Sequence, residues 1–257
     1  MLHEFLNAGR SCSSECSPVD FPLPSMEHQI MASALSATRY ATPLGDKSSR
    51  NYAFVELASQ GRRILEFGCA NGFISRHLTE RGCQVTGVEV DATAAAEARQ
   101  WCEKIVVADL NKQEWIDQVG DDFDTVLFGD VLEHLLHPEE TLRNAARVLA
   151  PRGQVIISLP NIAHWSVRSA LLRGRFEYQS TGILDITHLR FFTPASARRF
   201  IEDAGYQIDS TLFFVSGSGL GRRMRLLFPG LFATQMMFVA TPSGAPPDNS
   251  QAPHAND

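Results

Sequence analysis

The sequence predicts an α/β protein built on a doubly wound, mostly parallel sheet, and three observations predict it. Short Val/Ile/Leu runs alternate with helical patterns through the middle of the chain. Those runs lack clean period-two alternation, the pattern of strands covered on both faces. Each is followed by a connection long enough for a helix, and such crossovers join parallel strands.

Taken in order, RRILEF (62–67) reads as the first strand and GFISRHLTER (72–81) as a helix. QVTGVEV (84–90), KIVVAD (104–109) and FDTVLFGD (123–130) follow as strands, with ATAAAEARQW (92–101) as a helix between the first two. His137-Pro138-Glu139-Glu140 opens a long helix expected to run through Leu149, because Pro suits a first helical turn. GQVIISLP (153–160) is the fifth strand, and Thr193-Pro194 opens a helix with Thr as its cap. YQIDSTLFFVS (206–216) and ATQMMFVATP (233–242) are the last two β-rich runs.

The composition is that of an ordinary globular chain: 257 residues, 44% hydrophobic, 20% charged. That excludes disorder, collagen and coiled coil as the main architecture. A net charge of −6 gives no general attraction to nucleic acid or anionic lipid, so any such partner must be bound by a local patch. No signal-peptide pattern and no run of ~20 apolar residues occurs, so the expected compartment is the cytosol. Five cysteines are an odd number, and Cys69, Cys83 and Cys102 lie in apolar segments as small hydrophobes, which argues against a disulfide framework. Residues 1–28, including the Cys12/Cys16 pair, and 241–257 have the Ser/Pro-rich or low-complexity composition of mobile tails. One domain is expected over 29–240.

In such sheets ligands bind beyond the carboxyl ends of the strands. After the first strand comes Glu66-Phe67-Gly68-Cys69-Ala70-Asn71-Gly72, and the second strand ends at Glu89. Small residues allow a tight turn and close approach of a ligand, and a carboxylate ~20 residues on accepts both hydroxyls of a ribose. The spacing suits a nucleoside. A dinucleotide GxGxxG fails, because Ala70 and Phe73 stand at the second and third small positions, which argues against a nicotinamide dehydrogenase.

These residues resemble the first motif of class I S-adenosylmethionine (SAM)-dependent methyltransferases, and the resemblance covers about 62–242. It implies a Rossmann-like, seven-stranded sheet whose last strand is antiparallel. It implies SAM as cofactor, with Glu66, Gly68, Cys69, Ala70 and Gly72 around the methionine part. Glu89 and Val90 would lie at the ribose, Asp109 and Leu110 at the adenine, and Asp130 beside the methyl group. A non-catalytic SAM-binding subunit remains the alternative.

The fourth strand ends at Asp130-Val131-Leu132-Glu133-His134. On a helix, Asp130, Glu133 and His134 share one face and converge. Three roles compete: acids at a helix start with a packed His, His134 as general base for a substrate hydroxyl, and, ranked third, a divalent metal. The metal reading comes from a resemblance of Asp-x-x-Glu-His to the Glu-x-x-Glu-His ligand set of ubiquinone-pathway and small-RNA 3′-end methyltransferases. The latter add a downstream His resembling His188. The catalytic candidates are therefore His134, Glu133 and His188, with an oxygen nucleophile expected.

Residues 160–193 are longer than a crossover needs and, by the same resemblance, cover the acceptor. The LPN and GILDxTHLRFFT segments resemble bacterial methyltransferases, including methionine-biosynthesis W-like proteins. From Ala163 to Arg225 there are nine arginines and five acids, a net +4 against −10 elsewhere. Arginine forks suit phosphate or carboxylate, so the expected acceptor is a small molecule or a lipid-linked glycan, acidic or phosphorylated. Trp165, Tyr178, Phe191 and Phe192 are candidate pocket residues. Leu226, Leu227 and Phe228 are expected to be core residues at the sheet edge, with a peripheral membrane contact as the competing reading.

Overall fold

The computed structural model describes residues 49–58, 62–216 and 219–244. The segments expected as tails lie outside them, apart from 241–244. The described elements are α1 (Arg50–Ala58), β1 (Arg63–Phe67), α2 (Phe73–Thr79), β2 (Gln84–Glu89), α3 (Ala92–Ala98), β3 (Lys104–Val107) and α4 (Ile116–Val119). They continue with β4 (Phe123–Gly129), α5 (Pro138–Ala145), β5 (Leu149–Pro160), α6 (Trp165–Leu172), α7 (Pro194–Asp203) and β6 (Tyr206–Val215). Last come α8 (Gly219–Leu226), α9 (Pro229–Phe232) and β7 (Ala233–Pro242).

One seven-stranded sheet has the order β3-β2-β1-β4-β5-β7-β6. Strands β1 to β5 are parallel, and β7 runs antiparallel to both β5 and β6. The expected mostly parallel sheet with its antiparallel last strand is therefore the observed one.

Both faces of the sheet are covered, which explains the continuous apolar runs. Alternate residues of β1 part company: Leu65 and Phe67 enter one core with Val126, Phe128, Val155 and Ile157. Ile64 enters the other with Leu127, Ile156 and Met237. Helices α5 and α7 close the first face through Leu142, Ala145, Ala197 and Ile201, and α1 to α3 close the second through Phe54, Val55, Leu78 and Ala98. Each fully buried Leu, Ile or Phe contributes roughly 1.5–3 kcal/mol. The Phe67 ring packs against both Trp115 and Phe128 with centroids 4.8 Å away.

One expectation fails. The helix expected to run through Leu149 stops at Ala145. Val148 is turned back by a bond from its amide to the Ala145 carbonyl (3.3 Å), and Leu149 starts β5 by pairing with Phe123. The apolar Val148-Leu149 pair continues a helical pattern, but the sheet takes it. The Thr193 cap is as expected, with a reciprocal capping box to Ser196.

Chain order reverses between β1 and β4, which makes that position the switch point where ligands bind such sheets. The glycine loop leaves β1 there and the 130–134 segment leaves β4 beside it.

Candidate active site

The loop after β1 is built by its backbone. Gly68 and Gly72 have φ of +64° and +81°, the left-handed region that glycine enters without strain. Gly68 also has no room for a side chain: a Cβ there would lie 2.6 Å from Val131 Cγ2. The loop is thus packed directly on the segment after β4. Ala70, where a glycine is usual in the resembled motif, holds φ +47°, and its N–H donates to Glu89 Oε2 at 2.9 Å. Glu89 Oε1 accepts from the N–H groups of Val90 and Asp91, each at 2.9 Å. These three bonds fix the carboxylate at the end of β2, next to the glycine loop.

Glu66, at the end of β1, is buried and accepts from Ser75 Oγ at 2.5 Å. Desolvation raises its pKa to about 8, against the Ser75 hydrogen bond, which favours the charged form. Glu66, Gly68, Cys69 and Ala70 line one cleft with Arg50, Asn51, Phe54 and Phe73. Cys69 and Cys102 are buried free thiols, as expected of small hydrophobes. Asp109 Oδ1 accepts from the backbone and side-chain nitrogens of Asn111, both at 3.0 Å. Leu110 is buried and its carbonyl accepts from Thr141 Oγ1, while Val90 presents an exposed apolar side chain.

The 130–134 segment departs from the expected helical face. Asp130 has φ +57°, which Asp tolerates better than most residues, and the residues Leu132–His134 form a 3-10 turn. Asp130 is thereby directed to Ser158, Gln235 and Arg50, which all bond its carboxylate. It does not join Glu133 and His134. The group that does converge is Glu133, His134 and His188, whose ligand-type atoms lie within 4.8 Å of one another.

That convergence is built from a long-range loop. The Glu133 carbonyl accepts from the N–H groups of Leu189 (2.8 Å) and Arg190 (3.0 Å), which seats the 185–192 loop on the 3-10 turn. Asp185 Oδ1 accepts from the Thr187 N–H and hydroxyl, turning His188 inward. His134 Nδ1 faces the Thr187 carbonyl at 3.1 Å and His188 Nδ1 faces the Ile183 carbonyl at 3.2 Å. A carbonyl only accepts, so both Nδ1 atoms carry protons, and in the neutral imidazole the lone pair is then on Nε2. The two rings meet edge-on with centroids 4.8 Å apart. Glu133 is fully buried, and neither carboxyl oxygen has a hydrogen-bond partner. Burial raises its pKa to about 8, with Asp185 adding to the rise and Arg50 opposing it.

Arg50, Ser158 and Gln235 were not legible as site residues. They reach Asp130 from 80, 28 and 105 positions away and belong to no motif. Some of the arginines expected to meet an acidic acceptor also bond within the chain. Arg168, Arg190 and Arg225 donate to the backbone carbonyls of Ala163, Leu136 and Ser216. Arg173 bonds Ser169 on its own helix. Leu226, Leu227 and Phe228 are not core residues: they are 39, 65 and 63% exposed, because the short helices α8 and α9 leave them on the outer side.

A glycine loop at the switch point, a carboxylate fixed beside it at the end of β2 and a cleft between that loop and α1 make an α/β arrangement suited to a nucleoside. Residues 39–211 match the methyltransferase-domain family, and the chain belongs to that family. It is 28% identical over 149 residues to the ubiquinone biosynthesis O-methyltransferase of Aeromonas salmonicida, covering 56% of this chain and 63% of that protein. The corresponding protein of Dechloromonas aromatica is 26% identical over 57% of this chain and 65% of its own length. The matches thus span less than two thirds of these curated relatives. Among solved structures, a SAM-dependent methyltransferase from Archaeoglobus fulgidus superposes with a TM-score of 0.59 at 18% identity, over 80% of this chain and 98% of that one. Magnesium protoporphyrin IX methyltransferase from Synechocystis PCC 6803, with bound SAH, gives 0.51 at 17% identity, over 86% and 89%.

Proposed function

We propose that this protein transfers the methyl group of SAM to an oxygen of a small-molecule or lipid-linked acceptor. The observation that carries the oxygen is the Glu133/His134/His188 cluster, whose first two members lie in the turn after β4 that packs Val131 against Gly68.

In this reading Glu66 and the glycine loop hold the methionine part of the cofactor. Glu89 takes the ribose hydroxyls, Val90 and Leu110 flank the adenine, and Asp109 faces its amino group. The sulfonium is already an activated donor, so the protein's main task is to align the acceptor oxygen in line with the methyl group and exclude water. The acceptor proton needs a receiver, and the Nε2 lone pair of His134, set by the Nδ1 bond to Thr187, has the required form. Asp130, held by Arg50, Ser158 and Gln235, fixes the wall of the cleft.

The donor set also fits a divalent cation. A buried carboxylate without partners and two imidazoles, each oriented through Nδ1 by a backbone carbonyl, is the support that metal ligands receive. Glu133, His134 and His188 would hold it, and it would supply Lewis acidity that lowers the pKa of an acceptor hydroxyl.

The test is incubation of the protein with methyl-labelled SAM and a cell extract, followed by mass spectrometry of the labelled product. An O-methyl product is expected, with a loss of 10²-fold or more in rate for His134→Ala and unchanged SAM affinity by calorimetry. SAM binding without any labelled product would make the chain a cofactor-binding subunit. Bound metal is measured separately by elemental analysis of the wild type and of Glu133→Gln.

A further inference from the structure

The faces around the site are not uniform. Every residue from 171 to 182 is exposed, forming an arm after α6. Among them Leu172 is 90% exposed, with Leu171, Phe176 and Tyr178 half exposed. Trp165 at the start of α6 is also half exposed. Leu226, Leu227 and Phe228 add a second apolar group at the end of α8. Isolated exposed apolar residues are ordinary, but two groups of them on elements that meet at their bases are candidates for an interaction site.

The elements that carry the two groups meet at their bases. Buried Asn161 ties them together: its Oδ1 accepts from the Ala163 N–H just before α6, and its Nδ2 donates to the Gly230 carbonyl in α9. His164, the cap of α6, is near enough to Arg225 that, after its own partial burial, that charge helps hold its pKa down. The charge is one-sided. Residues 163–178 and 219–232 carry six arginines against a single acid, Glu177. Exposed Arg173, Arg175, Arg223 and Arg225 are among the six.

We propose that the 171–182 arm with α6, and the α8–α9 pair, form one docking surface for an anionic lipid bilayer. Apolar side chains beside arginines, with a Trp at the margin, are the composition of an interfacial anchor. The apolar groups enter the acyl boundary and the guanidinium groups meet lipid phosphate. Charge selects the occupant: a chain of net −6 that concentrates arginines on one apolar face is matched to a negative surface. The arm also leads inward. Phe176 packs against Phe191 at 6.1 Å and Phe191 against His188 at 6.2 Å, so the bound face lies beside the Glu133/His134/His188 cluster. An acceptor dissolved in the bilayer would reach that cluster without crossing water. Docking goes beyond the proposed methyl transfer and does not depend on it.

The test is flotation of the full chain with vesicles of phosphatidylcholine alone or mixed with an equal part of phosphatidylglycerol. Flotation is expected with the mixed vesicles only, and is lost at ~1 M salt, where the Debye length is about 3 Å. Arg223→Gln with Arg225→Gln should lower partitioning roughly ten- to thirtyfold. Leu172→Ser with Leu227→Ser should lower it as strongly, because each removes an inserted side chain. Both double variants alter exposed positions and should keep the wild-type SAM affinity, which distinguishes lost docking from misfolding. Equal recovery with both vesicle types, no flotation, or flotation indifferent to the variants overturns the proposal. A dimer seen by ultracentrifugation without vesicles and dissolved by the Leu variants would assign the face to a second copy of the chain, and overturn it equally.

Discussion

Glu66 encloses a carboxyl group where the first strand meets the cofactor loop, and its pKa near 8 has a consequence for folding. The value is raised from 4.5, so the folded state keeps a proton that the unfolded chain releases between about pH 4.5 and 8. Stability from this group is greatest below that window and falls as pH rises through it, by at most about 1.4 kcal/mol per unit. Glu133, raised to about 8 by the same cause, adds an equal slope. Denaturant unfolding of the metal-free protein across this range should show the decline, and Glu66→Gln should remove about half of it. Ala70 offers the opposite case. Its φ of +47° strains a side chain that the backbone does not want. Ala70→Gly is expected to gain about 1 kcal/mol in the same experiment and to tighten SAM binding, since the loop then needs no strained residue. A loss of stability would show that the Ala70 side chain packs better than its backbone suffers.

At the level of elements, strands and their ends were legible because two-sided burial demands unbroken Val/Ile/Leu runs, and the positions where such sheets bind ligands lie at the end of each run. Glu66, Gly68 and Glu89 became candidates that way. The turn after β4 was not. Asp130-Val131-Leu132-Glu133-His134 has helical spacing, yet a left-handed Asp130 parts it from its neighbours and gives it partners on β5, β7 and α1. Likewise Leu226, Leu227 and Phe228 read as core by composition, and only the placement of α8 and α9 showed otherwise. His188 was named by resemblance; nothing local could bring it to His134, which it reaches through bonds to the Glu133 carbonyl. Asn161 is the element-level link that no motif announces. It is fully buried and joins the end of β5 to α9 and β7 through the Gly230 and Ala233 carbonyls (3.1 and 2.9 Å). Asn161→Ala leaves those acceptors and the Ala163 N–H without it, a loss of about 2–4 kcal/mol. Hydrogen exchange should then rise in 163–172 and 229–235 and stay unchanged in β1 to β3. Uniform loosening would mean that Asn161 supports the whole sheet.

For the whole molecule the sheet order matters most, since it separates the parts proposed to bind cofactor from those proposed to meet the acceptor. The glycine loop, Glu89 and Asp109 belong to the β3-β2-β1 half, while the Glu133 cluster and the exposed arm belong to the half from β4 onward. No helix among the described residues is long and apolar enough to cross a membrane, and the docking surface proposed above lies in this second half. SAM bound as proposed at the switch point would touch loops from both β1 and β4 and would therefore stabilise the two halves together. At a SAM concentration ~100 times Kd, the linkage contributes about 2.7 kcal/mol, which for a domain of this size raises Tm by roughly 5–10 °C. A single calorimetric transition should move upward intact, NAD should leave it in place, and Glu89→Ala should abolish most of the shift. Two transitions, of which only the lower-numbered half responds to SAM, would show that the cofactor site is built by that half alone and that the packing of Val131 on Gly68 does not couple them.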